Sequence, residues 1–365
     1  MRPFFILVFA GLALASTIAS GQTTGRPKTV KPPKTTRTAQ PNQLSQAPPS
    51  RETLQLPQPP EKVKSIFPPG TVTYANIPYA GDTLQKHLLD IYLPAGAGAH
   101  TPLVVWIHGG AWMLNDKYAD MGYMRGTVRG FLEKGYALAS IDYRYSTTAP
   151  FPAQIQDCAQ ALEFLYQHAD QYRLDNSRIA LIGFSAGGHL ASLLGLSNNN
   201  AVRDFYPPSA PANSSDRPTN PPSGAPTPPG GPTNYKIRCV LDFYGPSDFL
   251  MLAANPDTSI SNDRNPVAIL LGALPIDRPD LARKASPVTY VDKDDPPFLI
   301  VQGEKDESVP RTQSKMLHSW LTLSGVPNEL IVVPNAPHYG EMFDAEYIRD
   351  RVFATLEKYM NQERK

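Results

Sequence analysis

The sequence predicts an α/β fold: a mostly parallel eight-stranded sheet with helices on both faces. Three observations predict it. Strand-like apolar runs alternate with runs of helical period between residues 71 and 359. Polar and reactive residues cluster just after several of those strands, at the carboxyl ends where sites in such sheets lie. Of the 39 prolines, eleven fall in residues 26–69 and ten in residues 207–232, which places regular structure elsewhere.

Residues 1–21 read as a secretory signal. Arg2 supplies the positive end, the stretch from Phe4 to Ala15 is apolar, and Ala19-Ser20-Gly21 offers small residues for cleavage. The location expected is secreted or periplasmic, with no stable membrane insertion once the signal is removed. A single membrane anchor is the rival reading, and the short apolar run speaks against it. Residues 22–69, rich in Pro, Lys, Thr and Gln, read as a disordered linker.

Residues 70–365 form the expected folded domain. Strands are expected at 71–79, 87–93, 103–107 and 136–141. Helices are expected at 124–133, stopped by Gly135, and at 153–168, where Ile155, Ala159, Leu162 and Leu165 share a face. A buried strand reaching Ile182 and an apolar helix from His189 to Leu194 flank a glycine-rich turn. A Pro-rich insertion at 198–235 then interrupts the pattern and carries the glycosylation sequon Asn213-Ser-Ser215. It reads as a passive surface loop, with a substrate-contacting lid as the alternative. Strands at 237–244, 297–302 and 329–333 and helices at 313–323 and 341–359 complete the pattern.

The net charge of +1 hides an asymmetry. Residues 26–64 carry eight Lys/Arg against two Asp/Glu, and residues 65–365 sum to −6. Basic charge confined to a tail, ahead of a mildly acidic body, speaks against a nucleic-acid partner. The two cysteines, Cys158 and Cys239, fall in an expected helix and strand. They read as core residues, and a disulfide between them cannot be inferred from the count.

The chemistry starts at Gly183-Phe184-Ser185-Ala186-Gly187, a G-x-S-x-G turn between strand and helix. Such a turn strains its central residue, so the flanking positions need glycine, and the Ser185 hydroxyl is pushed into a cleft. A serine needs a base, and the base needs a third group to orient it. His338, in the turn Asn335-Ala-Pro-His-Tyr-Gly340 after the last strand, is the base candidate; His189, inside the apolar helix, reads as packed. Asp306, directly after the strand at 297–302, is the acid candidate, with Asp248 as its rival; Glu304 and Glu307 read as surface charges and the run Asp292-Lys-Asp-Asp295 as a solvated loop. An oxyanion hole needs backbone N–H donors. Gly109 and Gly110, from His108-Gly-Gly-Ala-Trp112, and Ala186, after the nucleophile, are the candidates. Trp112, Tyr143 and Tyr145 are either pocket aromatics or packing.

Six motifs stand in order: His108-Gly-Gly-Ala-Trp112, Asp142-Tyr-Arg-Tyr145, Gly183-Phe-Ser-Ala-Gly-Gly-His-Leu190, Phe243-Tyr-Gly-Pro-Ser-Asp248, Pro296-Pro-Phe-Leu-Ile300, and Gly303 with Asp306 and Val309-Pro310. Together they resemble the α/β-hydrolases, in the bifunctional feruloyl/acetylxylan esterase-like (carbohydrate esterase) branch close to the hormone-sensitive-lipase-like esterases. The resemblance covers residues 70–360. It departs at Ala111, where the lipase relatives carry a third glycine, and at the Pro-rich insertion. It implies an α/β-hydrolase fold and a serine carboxylesterase with no cofactor or metal, acting on a small ester or an acylated polysaccharide bearing short acyl or feruloyl groups. A short-chain lipid-type esterase, a prolyl-oligopeptidase-like peptidase and a non-catalytic binding module of the same fold remain as alternatives. The sequence leaves the oligomeric state unknown.

Overall fold

The computed structural model describes residues 59–200, 202–206, 235–254 and 265–361. The expected signal, residues 22–58 of the expected linker, and most of the insertion, with Asn213, lie outside the described residues. The chain divides into two units, Met1–Glu52 and Thr53–Lys365, and every described residue belongs to the second.

Among the described residues eight strands form one sheet. They are β1 (Val72–Pro78), β2 (Leu88–Leu93), β3 (Thr101–Ile107), β4 (Ala137–Ile141), β5 (Leu174–Phe184), β6 (Ile237–Phe243), β7 (Phe298–Gly303) and β8 (Asn328–Val333). Their order is β1-β2-β4-β3-β5-β6-β7-β8. The β1–β2 and β2–β4 pairs are antiparallel, and every pair from β4 through β8 is parallel. Central strands read as unbroken apolar runs because both faces are covered.

The helices are α1 (Glu61–Lys64), α2 (Arg125–Glu133), α3 (Ala153–Gln167), α4 (Ala186–Ser197), α5 (Phe249–Ala254), α6 (Pro266–Leu271), α7 (Pro279–Ala285), α8 (Thr312–Leu323) and α9 (Glu346–Met360). Alternation along β3 divides the core in two. Leu103, Val105 and Ile107 face a layer built with α3, α4 and α8, while Val104 and Trp106 face one built with α2 and α9. Helix α4 is buried along its whole length, between the sheet and α3, which explains its apolar composition on all sides. Helix α2 ends as its sequence announces. Gly135 takes φ 85°, and the Tyr136 and Gly135 N–H groups donate back to Phe131 and Leu132.

The structure differs from the sequence reading in three places. Residues 59–69, at the end of the expected linker, carry α1 and bury Val63 and Ile66 in the α2/α9 layer. The helix expected at 341–359 is broken at Ala345 into a 3-10 turn (Glu341–Asp344) and α9. The break frees the Asp344 carboxylate to cap α2, accepting from the Gly126 and Thr127 N–H groups at 2.6 and 2.8 Å. Helices α5, α6 and α7 occupy a region to which the sequence reading gave no element.

Candidate active site

The turn after β5 is built by close approach. A Cβ on Gly183 would lie 2.1 Å from the Gly187 carbonyl oxygen, and one on Gly187 would lie 2.0 Å from that of Ile107. Only glycine lets α4 start this near β3 and β5. Ser185 is left at φ 52°, ψ −114°, with its N–H tied to the Phe243 carbonyl at 2.9 Å.

The hydroxyl so exposed meets His338. Ser185 Oγ is 2.8 Å from His338 Nε2, and His338 Nδ1 is 2.7 Å from Asp306 Oδ2. The arrangement reads as Nδ1–H donating to the carboxylate while Nε2 accepts from the serine. Asp306 is fully spoken for: Oδ1 accepts the Ser308 and Val309 N–H groups, each at 2.9 Å, and Oδ2 also accepts the Gln302 amide at 2.8 Å. Gln302 is itself fixed, donating to the Val309 carbonyl and accepting from Ser314 Oγ. The rival acid does other work. Asp248 Oδ1 accepts the Leu250 and Met251 N–H groups and so opens α5.

Of the three expected oxyanion donors, Gly109 is placed differently. Its N–H goes to Asp120 Oδ2 at 2.7 Å, and an amide with one proton has none left for a substrate. Among the described residues no protein acceptor takes the N–H of Gly110 or Ala186. Ala111, at φ 54° and on the cavity wall, offers the next N–H in that loop.

His189 is a packed residue. Its ring lies between the Trp112 indole N–H, 3.2 Å from Nδ1, and the Ala285 carbonyl, 2.7 Å from Nε2. Burial lowers its pKa to about 4, so it is neutral. His108 is likewise buried and pushed down by desolvation, and it stacks on Tyr143. Among the described residues no group of three His, Cys, Asp or Glu side chains is placed to hold a metal ion.

A cavity of about 920 Å³ opens on Ser185 and His338. Trp112, Leu252, Val267 and Pro246 give one part of its lining an apolar character; Asp120, Tyr123, Tyr244 and Tyr339 also line it. Tyr143 and Tyr145 are absent from the lining; Tyr143 instead donates its hydroxyl to the His108 carbonyl at 2.8 Å. The sequence reading missed Asp120, Tyr123, Gln302 and Tyr244. Tyr244 stands in the motif Phe243-Tyr-Gly-Pro-Ser-Asp248 and Gln302 opens the segment Gln302–Pro310 that carries Asp306, but nothing in either segment marks the residue's role. Glu304, read as a surface charge, accepts the Asn335 N–H and braces the His338 turn.

Known proteins similar to this chain are esterases by name. Esterase LipQ of Mycobacterium tuberculosis is 28% identical over 291 residues, 77% of this chain and 60% of LipQ. The probable carboxylic ester hydrolase LipM of the same organism is 29% identical over 220 residues, 59% of this chain and 43% of LipM. The chain thus spans about half the length of these curated relatives. Among solved structures, a truncated form of a carbohydrate esterase from gut microbiota matches with a TM-score of 0.66 at 29% identity, covering 80% of this chain and 97% of that one. A bifunctional GH43-CE protein of Bacteroides eggerthii matches with a TM-score of 0.64 at 31% identity, covering 79% of this chain and 35% of that one. The BD-FAE family model matches residues 89–321, and the chain belongs to that family of α/β-hydrolase esterases.

Proposed function

We propose that the protein is a secreted serine carboxylesterase in which Ser185, His338 and Asp306 form the catalytic triad. The observation that carries the reading is the continuous run from Ser185 Oγ through both ring nitrogens of His338 to Asp306 Oδ2, with contacts of 2.8 and 2.7 Å. Ser185 Oγ attacks the ester carbonyl carbon while His338 Nε2 takes its proton. Asp306 holds the imidazole in the required tautomer and stabilises the imidazolium. The carbonyl oxygen, now negative, is met by the N–H groups of Gly110, Ala111 and Ala186. His338 then protonates the departing alcohol, and water, activated by the same base, cleaves the acyl-enzyme.

The substrate proposed is a short acyl or feruloyl ester on plant polysaccharide. Because His338 protonates the leaving oxygen, the alcohol lies on its side of the cavity, beside Tyr339 and Tyr123, whose rings are 6.2 Å apart. The acyl group then points to Trp112, Leu252 and Val267. An aromatic-walled alcohol side suits a sugar, and the solved relative at 29% identity is named a carbohydrate esterase. Export, by the leader at 1–21 with residues 22–58 as a spacer, fits a polymeric substrate outside the cell. Sequencing the amino terminus of protein recovered outside the cytoplasm checks it: a start beyond residue 21 is expected, and an intact Met1 counts against it.

The decisive assay uses the full chain on p-nitrophenyl acetate, butyrate and octanoate beside acetylated xylan and methyl ferulate. The expected outcome is turnover confined to short acyl groups, with release from xylan or ferulate. Ser185→Ala should lower kcat by roughly 10⁴-fold or more. Near-normal turnover in Ser185→Ala overturns the mechanism; preference for octanoate with no release from polysaccharide moves the substrate to lipid-like esters.

A further inference from the structure

The loop that follows β3 is tied to the far wall of the cavity through one carboxylate. Asp120, at φ 71°, accepts the Gly109 N–H at Oδ2 (2.7 Å) and the Tyr123 hydroxyl at Oδ1 (2.6 Å). Tyr123 has one hydroxyl proton and gives it to the carboxylate. Its oxygen therefore accepts the proton of Tyr244, 2.9 Å away. Tyr244 follows β6 at φ 49°, anchored by its N–H to the Val301 carbonyl at 2.8 Å. Its ring meets the His338 imidazole edge to face, with centroids 5.0 Å apart. Hydrogen bonds and one ring contact thus lead from the oxyanion loop to the base, along side chains that line the cavity.

We infer that Asp120 is a positioning residue for ester hydrolysis: it withdraws the Gly109 N–H so that the following N–H groups face the cavity, and through Tyr123 and Tyr244 it fixes the wall beside His338. The inference rests on the serine-esterase reading above. Its logic is geometric. A loop carrying two glycines has many ways to point its amides, and an oxyanion hole works only when they are aimed beforehand. One buried acceptor that captures the first amide removes the competing orientations. Burial raises the Asp120 pKa while its two donors oppose that rise, so the carboxylate depends on the contacts it organises.

The test compares the full-length wild type with Asp120→Ala, Asp120→Asn, Tyr123→Phe and Ser185→Ala on p-nitrophenyl acetate, reading kcat and KM separately and the melting temperature of each. Asp120→Ala should lose about 100-fold in kcat with KM within about threefold, the pattern of an interaction made in the transition state. Asp120→Asn keeps an acceptor for the Gly109 N–H and should stay within about tenfold of wild type. Tyr123→Phe keeps its ring and should lose about tenfold in kcat, with a melting temperature lower by no more than the few degrees that one lost buried hydrogen bond costs. The inference is overturned if Asp120→Ala retains kcat within about threefold, if its loss is entirely in KM, or if Asp120→Asn falls as far as Asp120→Ala. Should Asp120→Ala fail to fold, Tyr123→Phe decides, and wild-type kcat there overturns the role. Activity surviving in Ser185→Ala would sink the esterase reading itself, whereas an inactive Ser185→Ala beside unimpaired Asp120 and Tyr123 variants sinks only the positioning role.

Discussion

At the level of single residues, Ser185 shows what a short motif does and does not reveal. Its positive φ, a strain of about 1–3 kcal/mol, is announced by the glycines on either side. His338 and Asp306 were legible for the same reason: each stands in a turn directly after a strand. Asp120 and Gln302 were not, because nothing local marks them; they matter through partners brought up by folding. Gly109 was assigned a free N–H because sequence gives the loop but not the acceptor facing it. His189 allows a test in the ionisation of one buried group. Its pKa is held down to about 4 by burial, so between the ordinary value of 6.5 and that figure the unfolded chain binds a proton that the folded one refuses. Its stabilising contribution is complete above pH 6.5 and is lost as the pH falls toward 4. Asp242, pushed up to about 6 by burial, runs the other way, gaining stability as the pH falls through 6, so a variant comparison is needed. Between pH 7 and 5, wild type should lose about 2 kcal/mol more than His189→Gln in urea unfolding. Equal losses would remove His189 as the cause.

Elements repeat the lesson with longer signals. Strands β3 to β8 and helices α2, α3, α4 and α8 announce themselves by apolar period and by glycine stops, and the structure moves their ends by only a few residues, except that β5 starts earlier, at Leu174. The stretch between β6 and β7 shows no helical pattern in the sequence, although α6 carries an Asn265 cap on the Val267 N–H, Pro266 in its first turn and Gly272 at its end. Six residues are too few for a helical period to show. The break at Ala345 was invisible because its cause, the capping of α2 by Asp344, lies more than 200 positions away. The junction of β5, α4 and β3 is the least forgiving contact. Gly187→Ala would set a methyl 2.0 Å from the backbone oxygen of Ile107 and should cost at least about 3 kcal/mol in urea unfolding. Gly98→Ala, with nothing within 4 Å, should change stability by no more than about 0.5 kcal/mol. Similar behaviour in the two variants would refute the close-packing argument.

For the molecule as a whole, the sequence reading drew the folded boundary at residue 70, where prolines thin out. Composition is a poor guide there, since a few apolar side chains suffice to dock a Pro-rich segment. Ile66 is 2% exposed, and the neighbouring Phe67 ring lies 4.4 Å from that of Tyr92. Ile66→Ala should lower stability by about 2–4 kcal/mol, read from the urea midpoint, with kcat unchanged because neither Ile66 nor Phe67 lines the cavity. A midpoint equal to wild type would return residues 59–69 to the linker.

The two-layered core also settles a matter of covalent chemistry. Cys158 is buried in the layer that holds α3 and Cys239 in the layer that holds α2 and α9, so the sheet stands between the two sulfurs. Burial raises both thiols, Cys239 to about 12, and leaves neither as a thiolate at neutral pH. No disulfide joins Cys158 to Cys239, so a reducing agent finds no bond between them to cut. The fold these residues build is held by packing on both faces of the sheet, with no cross-link between its two cysteines.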